Sequence, residues 1–189
     1  MALRNTKEGW GLPARLLHWA IAGIILFLLG LGFYTAEIVT DVYEQFGLVQ
    51  IHKSWGFTVF VLVLIRVVWR LANPTPALPA DMPGWERALA HLGHFALYAM
   101  MIVMPLSGWL MSSASELQEM YGIKNMVFGL FEMPDPFQPG DKALEEFFAN
   151  VHFWCAILMT ATVAGHAAAG LKHHFANGDN VLRRMILGR

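Results

Sequence analysis

The chain has 189 residues, 56% of them hydrophobic and only 14% charged, with a formal net charge of −1. Soluble domains carry about 25% charged residues, so an ordinary water-soluble core is excluded, and with no basic stripe nucleic acid is excluded as a partner. The single cysteine, Cys155, excludes an intramolecular disulfide and any cysteine-held iron–sulfur or zinc cluster. It lies in an apolar run and reads as a small buried hydrophobe.

Four apolar runs follow in chain order. The first, LLHWAIAGIILFLLGLGFYTA, covers residues 16–36. It is long and no small-residue cleavage site follows it, so it reads as a retained anchor rather than a signal peptide. A short acidic connection, 37–51, leads to the second run, HKSWGFTVFVLVLIRVVWR, at 52–70. NPTPALPADMPG comes next and is too rich in proline to be helical. The third run, HLGHFALYAMMIVMPLSGWLM, spans 91–111, and Pro105 is expected to kink it. A long connection, 112–150, has FEMPDPFQPGD as an irregular middle and ALEEFFANV as an expected short interfacial helix. The fourth run, VHFWCAILMTATVAGHAAAGL, spans 151–171. Each run is near the roughly 20 residues that a spanning helix needs. The expectation is one all-α domain over 1–189, an integral membrane four-helix bundle in the lipid bilayer.

Lysine and arginine sort by side. Arg4, Lys7, Arg15, Arg66, Arg70, Arg87, Lys172, Arg183, Arg184 and Arg189 fall on one side of the four runs, and only Lys53, Lys124 and Lys142 on the other. The excess of positive charge on the inner side then puts both termini in the cytoplasm. Most tryptophans and tyrosines, such as Trp10, Trp55, Trp85 and Tyr121, sit at run ends, as an interfacial aromatic belt requires.

This orientation turns positions into depths. His18 opens the first run near the inner surface, and His52 opens the second near the outer. His152 and His166 share the fourth run, fourteen residues apart, and fall on roughly one face. They are about 21 Å apart along the axis. Depth therefore pairs His52 with His152 and His18 with His166. Ionisable side chains inside a membrane are costly and mark function by default. Two imidazoles at one level suit the two axial positions of haem iron, leaving it six-coordinate for electron transfer. No C-x-x-C-H occurs, so such a haem is b-type, held without covalent links. Two levels imply two haems. A single zinc or copper site needs three or four ligands at one depth, which this split disfavours.

The small residues of AGHAAAG, 164–170, leave room for a flat ring, and Gly30, Gly32 and Gly56 fit the same role on facing helices. His94 is level with His18 and competes for the inner iron, or with His91 serves as an interfacial or supporting residue. Arg66 and Arg70 either snorkel to headgroups or pair with propionates of the inner haem, and Lys53 is placed to do the same at the outer one. His173 and His174 lie at the inner headgroups, either solvated or handling the protons of quinone chemistry.

LLHWAIAGIILFLLG, IHKSWGFTVFVLVLIRVVWRL, AHLGHFALYAMMIVMPLSGWLM and GHAAAGLKHHF followed by DNVLRRM resemble bacterial cytochrome b561, the four-helix dihaem type. The resemblance covers about residues 9–187, and its last block is the most specific. It implies an inner-membrane, multi-pass protein with two b haems on His18, His52, His152 and His166. It further implies electron exchange with ubiquinone, with His173 matching a histidine implicated in quinone binding and acting as the catalytic residue. One family activity is superoxide oxidation at the outer face. Against it, the outer connections carry Glu37, Asp41, Glu44, Glu116, Glu119, Glu132, Asp135, Asp141, Glu145 and Glu146 against three lysines, which does not steer an anion inward. The alternative is a cytochrome b anchor carrying electrons for a protein partner, a hydrogenase or dehydrogenase. A haem-free transporter is the remote third reading.

Overall fold

A computed structural model describes residues 3–188, without the side chains of Gln118 and Glu119. Arg189, counted above among the basic residues, and the carboxylate of Glu119 lie outside the described residues. Four long helices carry the apolar runs: α1 (Leu12–Glu37), α2 (Val42–Leu71), α3 (Gly84–Ala114) and α5 (Lys142–Phe175). All four are long and apolar enough to cross a membrane. Two short helices, α4 (Leu117–Tyr121) and α6 (Val181–Leu187), and a hairpin of β1 (Met126–Val127) with β2 (Phe131–Glu132) complete the chain. The protein is thus an all-α, four-span membrane helical bundle, with one two-residue ladder in its longest connection. Residues such as Phe33, Val68 and Phe95 are exposed on the spans, as expected of side chains whose solvent is lipid.

The helices outrun the apolar stretches that announce them. The acidic connection expected at 37–51 is mostly helix, because α2 starts at Val42, where the Asp41 carboxylate accepts the backbone N–H of Glu44 at 2.8 Å. ALEEFFANV is not a separate interfacial helix. It is the first part of α5, whose start is capped in the same way by Asp141 on Leu144 N–H, at 3.1 Å. In both places an aspartate satisfies orphan N–H groups ahead of the apolar run. The proline-rich connection is non-helical as expected, and α3 continues as helix on both sides of Pro105.

Tertiary contacts group the chain into two compact units. The first comprises Met1–Ala22, Leu62–Ala99 and Met159–Arg189, and the second Gly23–Val61 and Met100–Leu158. In the first unit, Ala14, Ile21, Val63 and Met159 are buried. Its N-terminal tail is stitched to the proline-rich connection: the buried Asn5 accepts Gly11 N–H and donates to the Pro74 carbonyl. Helix α6 is docked through its backbone, with Trp19 Nε1 donating to Met185 O at 3.1 Å and Arg15 donating to Ile186 O. Arg184, one of the basic residues counted as cytoplasmic, is buried and donates to Ala77 O.

In the second unit, Val59, Met101, Ala114, Val127 and Cys155 are buried. The hairpin turns on Phe128 and Gly129, both with positive φ (49° and 70°), closed by Leu130 N–H on Val127 O. That is the primed turn that suits antiparallel strands, with an aromatic where Asn or Asp is usual. The surroundings compensate: Phe128 N–H donates to Ser54 Oγ at 2.9 Å and its ring meets Trp55 edge-on. Asn125 is fully buried just before β1. Its Oδ1 accepts from Ser112 Oγ and Lys53 Nζ, while its Nδ2 donates to Asp135 at 2.5 Å. This network ties the connection after α3 to α2.

Candidate haem-binding histidines

In the first unit His18 on α1 faces His166 on α5, with ring centres 6.2 Å apart and planes crossed at 65°. In the second unit His52 on α2 faces His152 on α5, again at 6.2 Å and crossed at 67°. These are the two pairs expected from the sequence. The separation has a chemical meaning. Two metal–imidazole bonds of about 2.0 Å, with about 1.2 Å from each nitrogen to its ring centre, put ring centres roughly 6.4 Å apart. Both pairs fit an iron between two imidazoles. Among the described residues no group of three or more His, Cys, Asp or Glu is arranged to hold a metal ion.

The imidazoles differ in what supports them. His152 Nδ1 donates to the Met104 carbonyl at 3.0 Å, with Ser107 Oγ 3.2 Å away. A carbonyl only accepts, so Nδ1 carries the proton and Nε2 is bare, the tautomer a metal ligand needs. Among the described residues, His52 Nδ1 is buried with no hydrogen-bond partner, an orphan of the kind that points to a missing neighbour. Gly32 lies behind His52 and Gly108 behind His152, where added Cβ atoms would come within 3.3 Å and 2.9 Å of the respective Cε1 atoms. Gly30, Gly56, Gly165 and Gly170 instead face open space. His166 and the alanines after it are exposed, which leaves room beside the ring.

His18 has a cation beside it. Arg66 reaches its Nδ1 at 3.3 Å, and also donates to Ala14 O at 2.9 Å and Tyr98 Oη at 3.1 Å. Arg70 sits over the Tyr98 ring at 5.4 Å. Trp19 meets His18 edge-on at 5.1 Å. His94 comes close to the same site, its ring centre 5.3 Å from that of His166, with Nδ1 turned to its own helix at Ala90 O. His91 enters no interaction described for this site.

The remaining candidates lie elsewhere. Lys53, beside His52 in sequence, directs its ammonium to Asn125 Oδ1, Ser112 Oγ and the Lys124 carbonyl. His173 Nδ1 contacts Asp179 Oδ2 at 2.6 Å, with the Asn177 amide 3.2 Å from the same nitrogen. The neighbouring His174 stacks edge-on with Phe175. Lys124 pairs with Glu132 at 2.7 Å, which holds its ammonium pKa above the ordinary lysine value, and Lys142 pairs with Glu116. Ser107, Gly108 and Asp179 are the residues that sequence reasoning missed. Only Asp179, six residues past His173, left any local signal.

Comparison with known proteins meets this geometry over nearly the whole chain. The chain is 33% identical to "Cytochrome b561 homolog 2" of Escherichia coli (strain K12) over 189 residues, 98% of this chain and 95% of the relative. It is 30% identical to "Probable superoxide oxidase CybB" of Yersinia pestis over 139 residues, covering 72% of this chain and 73% of the relative. "Cytochrome b561 homolog 1" of E. coli matches at 28% over 137 residues, with the same coverage of each chain. The model of the prokaryotic cytochrome b561 family matches residues 9–188, a stretch that includes all four paired histidines. Four spans and near-complete agreement with that family lead to one conclusion: the chain belongs to the prokaryotic cytochrome b561 family.

Proposed function

We propose that the protein is a dihaem b-type cytochrome of the bacterial inner membrane, with both termini cytoplasmic, passing electrons between the outer face and the ubiquinone pool. The observation that carries this reading is the twin pairing of His18 with His166 and His52 with His152 at one separation, 6.2 Å. Haem iron so held supplies reversible one-electron transfer. The chain's own residues do the rest. His152 is locked in its metal-binding tautomer by a backbone carbonyl, and Arg66 and Arg70 offer positive charge to haem carboxylates near His18. Lys53 offers the same near His52 once it yields its present oxygen partners. His173, oriented by Asp179, keeps Nε2 for exchanging a proton with ubiquinone.

Superoxide as the outer reactant draws support from the name of the Yersinia relative. Local charge counts against it, because all three lysines of the second unit already contact oxygen. Exposed carboxylates at Glu132, Asp141 and Glu146 favour the second reading, a subunit that docks a basic redox partner.

A reduced-minus-oxidised spectrum with haem quantification tests the core of the proposal. Two haems per chain are expected; one haem rejects the two-pair reading, and none rejects the function. Ubiquinol analogues or a superoxide source added to the purified protein then separate the two readings. Turnover without a partner supports the autonomous oxidoreductase, and two haems with no turnover support the subunit.

A further inference from the structure

We infer that Gly108 is a positioning residue for His152, and that with Met104 and Ser107 it sets the electron-donating strength of this one imidazole. The inference rests on His152 being an iron ligand. Gly108 follows Met104 by four residues, so the two share one face of α3. A side chain at 108 would cover the Met104 carbonyl. The lack of one lets the His152 ring lie flat enough on α3 for Nδ1 to reach that carbonyl at 3.0 Å. A Cβ at 108 would stand 2.9 Å from Cε1 and 3.1 Å from Nδ1, too close for the ring to stay. At Gly32, behind His52, the nearest approach is 3.3 Å, which a small shift of the neighbour relieves.

The hydrogen bond does more than aim the ring. An imidazole that donates its N–H to a carbonyl becomes a more basic ligand, which favours the oxidised metal. Ser107, itself buried, moderates the effect by donating to the same carbonyl at 2.9 Å. Among the described residues His52 has no acceptor at its Nδ1, and His18 faces a guanidinium. Of these three rings, His152 alone gains basicity from a carbonyl. Gly108 and Ser107 therefore act on it in opposite directions.

The test is a potentiometric titration of the full-length protein, wild type, Gly108→Ala and Ser107→Ala, with haem content measured in each. In Gly108→Ala one of two redox components should move to higher potential, or its haem should be lost, while the other stays in place and reports an intact fold. In Ser107→Ala the carbonyl is left to His152 alone, and the same component should move lower with both haems kept. A tenfold change in the reduced-to-oxidised ratio at fixed potential, about 59 mV for one electron, is the scale expected for Gly108→Ala. Gly47→Ala, at an exposed position of α2 with open space where the Cβ would go, should change nothing. Two haems at wild-type potentials in both variants overturn the inference and leave the dihaem reading standing. If Gly108→Ala fails to fold, an unchanged titration of Ser107→Ala overturns it. A wild-type protein without haem overturns both.

Discussion

His166→Ala is expected to halve the haem content, from two per chain to one, with the remaining haem held by His52 and His152. The His166 ring is one side of the first unit's 6.2 Å pair, and no backbone group can replace an imidazole as an axial ligand. His94 makes the experiment informative. Its ring lies 5.3 Å from that of His166, and its Nδ1 is turned to the Ala90 carbonyl, so its Nε2 is bare as well. If His94 substitutes for His166, the single variant keeps some of the second haem, and adding His94→Ala removes it. If His94→Ala alone costs a haem while His166→Ala does not, the ligand assignment within this cluster is wrong. Haem quantification on the three variants, with the other haem as an internal standard, separates the outcomes.

The second large effect is on stability. Asn125→Ala should destabilise the protein by about 3 kcal/mol, since a buried group left without its partner costs about 1–3 kcal/mol and a charged one more. Asn125 is fully buried and serves Lys53, Ser112 and Asp135 together. Removing it strips the Lys53 ammonium of a side-chain amide acceptor and takes from Asp135 a 2.5 Å donor. Thermal unfolding of the detergent-purified protein, followed by far-ultraviolet circular dichroism, measures the loss. An unchanged midpoint would mean that the connection after α3 is held by other contacts.

The spans were legible because membrane insertion demands an apolar run of nearly fixed length, and no tertiary contact alters that demand. The ends of the helices were not. The residues after Asp41 and Asp141 are polar enough to read as connections, yet they continue α2 and α5 outward from the aspartate caps. The hairpin escaped notice because Phe128 is a poor turn residue by itself. Its conformation is held by Ser54 and Trp55, more than seventy positions earlier. The histidine pairing was legible because four costly residues at two depths leave few ways to combine. Gly108 was not, since a helical glycine gains meaning only from the ring that crosses it, forty-four positions on. The present partner of Lys53 was hidden for a similar reason: Asn125, whose Oδ1 accepts from its ammonium, is distant in sequence.

The engaged lysines of the second unit also bear on kinetics. With their ammonium groups each held against oxygen and Glu37, Asp41, Glu44, Asp141 and Glu146 exposed, an approaching reactant meets a negative field. Salt shortens the reach of such a field to about 8 Å at 0.15 M ionic strength. The encounter rate with an anion should therefore rise as salt is added, and that with a basic protein should fall. Stopped-flow mixing with superoxide and with a basic redox protein, each at two salt concentrations, should give salt slopes of opposite sign.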